Sequence, residues 1–174
     1  VEILHNWQNF FILAGGASVT LLGLIFVAVS LGPDLNSPTL NTDVQIFVDP
    51  ILLYYSTVFI VAAVGVAPVE TPAALGVLMG LAAVPSFWYS IQVVVNMKNH
   101  PNRQKFGKDH WLWHGLIPIS SAVAIFVGTA LTLTGNMGTA LVFNAVAMLA
   151  LMFTATRNTW ELAMWIARSR SGLK

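Results

Sequence analysis

The 174-residue chain is 56% hydrophobic and 9% charged, with a mean hydropathy of +0.74, a formal charge of +1 and no cysteine. Soluble domains carry about 25% charged residues, so this composition points to an integral membrane protein. It excludes disulfides, thiolate metal sites and a cysteine nucleophile, and it makes binding to bulk nucleic acid unexpected.

In chain order, the first apolar run covers roughly 8–31, and between Glu2 and Asp34 there is no acidic or basic residue apart from His5. The N-terminus lacks a basic flank and a small-residue cleavage site, and the run is too long for a signal peptide, so the segment reads as retained. A polar loop, "GPDLNSPTLNTD" at 32–43, leads to a second span at roughly 46–67, with Thr42 or Asp43 as the expected helix cap. The turn "PVETP" at 68–72 puts Pro72 in the first turn of a third span at roughly 73–97. A basic loop at 98–110 leads to a fourth span at roughly 112–134, and the turn "GNMG" leads to a fifth at roughly 137–156. Each run is long enough for a helix to cross a hydrocarbon core of about 30 Å at 1.5 Å per residue. None alternates with the period of a barrel strand. The last segment, 157–174, places Trp160, Ala163, Met164 and Ala167 on one helical stripe. It predicts an interfacial helix, or a helical extension, at the lipid headgroups. The expected architecture is an all-α bundle of five transmembrane helices, one domain over 1–174.

Charge sets the expected orientation. Lys98, Arg103, Lys105 and Lys108 lie between spans three and four, and Arg157, Arg168, Arg170 and Lys174 follow span five. With five spans these regions share one side, which the positive-inside rule makes cytoplasmic, with the N-terminus outside. Trp111, Trp113, Trp160 and Trp165 are the expected interfacial anchors on that side.

Candidate sites are few. Gly15 and Gly16 interrupt the first span, and Gly16, Thr20 and Gly23 share a helix face by their i, i+4, i+7 spacing. Small residues so placed let another helix approach closely, either within the bundle or on a partner. No Lys, Arg, Asp or Glu lies near the middle of a span, although proton-coupled transporters and voltage sensors usually carry one. Asn144 is the mid-span side chain that its own backbone satisfies least, so an interhelical polar contact is expected there, with pore lining as the alternative. Pro85 and Pro118 predict kinks. Asp49, Arg157 and Glu161 are expected to form a clasp at the cytoplasmic boundary, Arg157 and Glu161 by i, i+4 spacing. No metal or cofactor site is expected. Bound lipid is expected, and His114 is the position at which a pigment or haem ligand is conceivable. No nucleophile–base set exists at depth, which argues against an enzyme.

Three stretches carry a resemblance: residues 7–31 with their Gly-Gly-Ala core, the turn "APVETPAALG" at 67–76, and "RNTWEL" at 157–162. Together they resemble a family of small bacterial multi-pass membrane proteins, widespread in actinobacteria and proteobacteria, with no established activity. The resemblance implies a bacterial plasma-membrane location and the same architecture. This chain departs from the family in its first cytoplasmic loop, where Asp34, Asp43 and Asp49 replace the usual arginines. Two functional expectations follow. The first is an accessory or scaffold subunit, packed against a larger membrane complex or copies of itself. The second is a homo-oligomeric channel or small transporter lined by hydroxyls and Asn144. Reporter fusions at residue 103 and at the C-terminus should both report a cytoplasmic location; an external C-terminus would refute the five-span topology.

Overall fold

A computed structural model describes residues 2–30, 38–99 and 111–171, with the side chains at 2–3, 38–47, 96–97, 99 and 165–171 left out of the description. The described residues form α1 (Glu2–Ser30), α2 (Pro38–Val66), α3 (Pro72–Asn99), a π-helical turn (Leu112–Leu116), α4 (Ile117–Leu133) and α5 (Met137–Ser171). Five of their helical segments are long and apolar enough to cross a membrane: Leu4–Ser30, Val48–Val66, Pro72–Val95, Leu112–Leu133 and Met137–Met164. The fold is therefore all-helical and compatible with a membrane protein.

Helix starts follow local chemistry, with one correction. Pro72 opens α3, and the Thr71 hydroxyl accepts the Ala74 N–H at 3.3 Å, capping one of the orphan donors of the first turn. The second helix starts at Pro38, so Thr42 and Asp43 lie inside it and do not cap it. Proline at the first helical position has a preset φ and no N–H to leave unpaired. Between α4 and α5 the chain turns on Gly135, whose φ of +87° suits a residue without a Cβ. The tail after residue 156 is not a separate helix. It continues α5 without a break to Ser171, giving 35 residues and a length of about 52 Å.

Successive helices pack on one another, and α5 closes the bundle against α2 and touches α1. Half of the α2 span is buried, against less than a quarter of the α1 span. Phe11, Ile51, Tyr54, Tyr55, Val58, Met79, Met148 and Leu151 fill the interior. The outer surface is also apolar: Leu13, Leu24, Phe26, Trp88, Val146 and Phe153 are all exposed. Soluble monomers rarely expose large contiguous apolar patches. An apolar interior beneath an apolar exterior is what a lipid-facing bundle requires.

The helices meet closely at glycines. A Cβ on Gly65 would sit 2.8 Å from the Phe11 ring, and one on Gly15 would sit 3.0 Å from Ala62 Cβ, so α1 lies tight on α2. Across α3 and α4, a Cβ on Gly76 would meet Thr132 Cβ at 3.0 Å, and one on Gly80 would meet Thr129 Oγ1 at 2.8 Å. That approach brings the Thr129 hydroxyl to the Gly76 carbonyl at 2.9 Å. Gly128 of α4 lies under the Asn144 side chain of α5 in the same way. Adjacent tyrosines tie α2 to both sides. Tyr54 Oη lies 3.3 Å from Ser90 Oγ on α3, and Tyr55 Oη lies 2.9 Å from Thr156 Oγ1 on α5. Each of those hydroxyls already donates to its own helix, Ser90 to the Ser86 carbonyl and Thr156 to that of Met152, so the tyrosines are the donors.

Gly65→Ala should destabilise the purified protein by about 1–3 kcal/mol through overpacking against Phe11, despite alanine's higher helix propensity. Gly23→Ala has open space for its methyl group and should instead gain up to about 1 kcal/mol. Thermal unfolding in detergent checks both signs.

Candidate functional site

The densest polar arrangement among the described residues lies where the fourth span begins and the fifth ends. The π-helical turn carries Trp113 and His114, and its Gly115 is buried against Val94 of α3. One α5 turn carries Arg157, Asn158 and Glu161. Glu161 joins the two elements: its Oε1 lies 3.3 Å from Arg157 Nη2 and its Oε2 lies 3.6 Å from His114 Nε2. The Arg157 guanidinium stacks over the Trp113 ring, 4.4 Å from its centroid, and Trp113 packs on Phe153 at 5.5 Å. The carboxylate and guanidinium are each about one-third exposed, so solvent screens the pair and it contributes no more than about 1 kcal/mol. The cation–π contact adds a similar amount.

The expected clasp is thus formed in part. Arg157 and Glu161 pair as their spacing implied, but Asp49 is exposed and lies beside Leu52, Ser56 and Tyr89, on the α3 side of α2. Among the described residues it makes no ion pair. The second partner of Glu161 is the imidazole of His114, a residue the sequence singled out as a conceivable pigment or haem ligand.

The glycine stripe divides. Gly15 is buried against α2, whereas Gly16, Thr20 and Gly23 are exposed. Nothing lies within 4 Å of a Cβ built at Gly16 or Gly23, and the Thr20 hydroxyl donates to the Gly16 carbonyl of its own helix at 2.8 Å. The four residues therefore do not act together inside the bundle: one packs inward and three form an outward face.

Asn144 is buried, and its Nδ2 donates to the Ala140 carbonyl of its own helix at 3.1 Å. Its Oδ1 has no partner, so the contact it makes with α4 at Gly128 is one of packing and not an interhelical hydrogen bond. The serines beside the prolines likewise close their own turns, Ser86 to the Ala83 carbonyl and Ser120 and Ser121 to that of Ile117. Trp111 and Trp113 are half-buried, Trp160 is exposed, and the Trp165 side chain lies outside the described residues.

Asn158 is the residue that sequence reasoning missed. It is 1% exposed, and neither its Nδ2 nor its Oδ1 has a partner. Arg157 Nη1 beside it in sequence is also buried without one. The available signal was spacing: Asn144, Leu151, Ala155, Asn158 and Leu162 form one buried face of α5. Among the described residues no group of three metal-ligating side chains converges. The cluster offers charge pairing and stacking, with no nucleophile beside a base.

Comparison with known proteins returns no matching family model, no matching curated protein and no matching solved structure.

Burying an amide without partners costs about 1–3 kcal/mol. Asn158→Leu should therefore leave the protein at least as stable as the wild type, and Glu161→Gln should lower stability by about 1 kcal/mol or less, with the loss shrinking in high salt. Thermal unfolding at two salt concentrations tests both; a large loss with Asn158→Leu would mean that the amide meets a partner.

Proposed function

We propose that this protein is a non-enzymatic, multi-pass integral membrane protein of a bacterial plasma membrane, acting as an accessory or scaffold subunit packed against a larger membrane assembly. The observation that carries this reading is the outward face of α1. Gly16, Thr20 and Gly23 are exposed on the least buried span of the bundle, with open space above both glycines. In lipid, helices associate through close packing of small residues and a few polar contacts, since apolar burial gives no advantage over lipid tails. A bare small-residue face on an otherwise Leu-, Val- and Phe-rich helix suits a second helix better than it suits acyl chains.

The channel reading has less behind it. Asn144 is buried inside the single bundle on Gly128, and the span hydroxyls Ser18, Thr57, Ser86 and Thr132 are buried and donate to carbonyls of their own helices. Polar groups so arranged leave few free donors to replace the hydration shell of an ion. The accompanying topology has the N-terminus outside and the C-terminus in the cytoplasm. It rests on the placement of all eight Lys and Arg residues in the loop after span three or beyond span five. The bacterial location rests on the resemblance of the first helix, the proline-bracketed turn and the Arg-Asn-x-Trp exit.

The test is a Gly16→Leu/Gly23→Leu double variant extracted from the native membrane in mild detergent. The wild type should migrate within a discrete larger assembly, and the variant as the free chain with its thermal stability retained. Unchanged assembly would show that this face meets lipid. A discrete homo-oligomer that conducts ions in liposomes would establish the channel.

A further inference from the structure

An open groove of about 480 Å³ runs along the outside of the seam between α3 and the start of the fourth span. Val94, Leu112, Leu116 and Ile119 line its length, and Gly115 forms part of its floor. A Cβ at Gly115 would come within 2.8 Å of Val94 Cγ2, so the bare π-helical turn is what lets the two helices approach here. Lys98 lies one helical turn beyond Val94, and Trp111 lies before Gly115 on the facing wall. The groove therefore runs from an apolar channel to an end that carries a cation and an indole.

That gradient matches a lipid molecule. The apolar length accepts an acyl chain, and Trp at the apolar–polar boundary suits the glycerol and headgroup level. Lys98 is exposed and makes no ion pair among the described residues. It stands in the last turn of α3, where the helix dipole favours a cation; that accounts for its charge and not for the groove beside it. A docked apolar helix would bury the ammonium without a counter-ion, which is costly. A zwitterionic lipid would bring a second cation next to it. A headgroup with net negative charge supplies the missing anion, as basic pockets between membrane helices do for acidic lipids.

We propose that this groove binds one anionic glycerophospholipid, with an acyl chain along Val94, Leu116 and Ile119 and the headgroup phosphate at Lys98. The inference rests on the membrane reading given above. The test uses the full chain, first in its native membrane and then purified and titrated with equimolar phosphatidylglycerol and phosphatidylcholine, with bound lipid counted by native mass spectrometry. The wild type should favour phosphatidylglycerol about five-fold, equivalent to the roughly 1 kcal/mol that one basic residue contributes near an anionic surface. Lys98→Gln should bring the ratio close to one, and Lys174→Gln should leave it unchanged. Leu116→Trp, at a side chain that is 62% exposed and so tolerant of bulk, should cut binding of both lipids. Phosphatidylglycerol preference that survives Lys98→Gln, or lipid binding that survives Leu116→Trp with the fold intact, would overturn the proposal. Release of the wild-type chain from membranes by alkaline carbonate would instead overturn the membrane reading itself, so the two failures are separable.

Discussion

Close approach of helix backbones at glycine is the constraint on which the rest of this bundle depends. Gly15 and Gly65 bring α1 onto α2, Gly76 and Gly80 bring α3 onto α4, and Gly128 brings α4 onto α5. Where backbones come this near, short hydroxyls reach across. Thr129 spans to the Gly76 carbonyl only because residues 76 and 80 have no side chains in its way. The tyrosines of α2 add longer reach: Tyr54 and Tyr55 extend to hydroxyls on α3 and α5. The middle of the bundle is thus held by shape and a few neutral hydrogen bonds.

Among the described residues, the charged side chains Lys98, Arg157 and Glu161 gather at one end of the bundle. Arg157 over Trp113, Glu161 with His114, and Lys98 beside Trp111 occupy the same end of the bundle. The opposite end gathers Leu4, His5, Gln8 and the Gly65–Val69 turn. Aromatic rings accompany the cations, so long basic side chains rest on apolar surfaces while their heads stay near water. The unpartnered Asn158 amide, buried one turn from Glu161, is the exception to this order. Native bundles leave few such groups, and its burial marks this end of α5 as the place where local rules yield to something else.

The five apolar helices were legible because apolar run length is a property of the chain itself. The Arg157–Glu161 pair was legible for the same reason, since i, i+4 spacing is local. The His114 contact was not: 47 residues separate it from Glu161, and a π-helical turn sets the phase of its side chain. Asp49 was misplaced because its position along the helix was readable and the side of the helix was not. The glycine signal was read in part. The Gly-Gly pair of α1 drew attention and Gly15 does meet α2, while the Gly76-x-x-x-Gly80 motif in α3, a plain small-xxx-small pattern, makes a further internal seam that sequence reasoning passed over. A spacing rule says that a face is smooth; it does not say whether the face turns inward.

The unbroken α5 couples its far end to the bundle. Because helical backbone runs from Met137 to Ser171, the residues beyond Trp160 are joined to the buried Asn158–Leu162 face by a rod and not by a tether. Angular phase is therefore transmitted along with distance. One residue inserted after Leu162 would turn the far end by about 100° and seven would nearly restore it. This end of the bundle behaves as a keyed shaft, on which turning the far end turns the Asn158–Leu162 face with it.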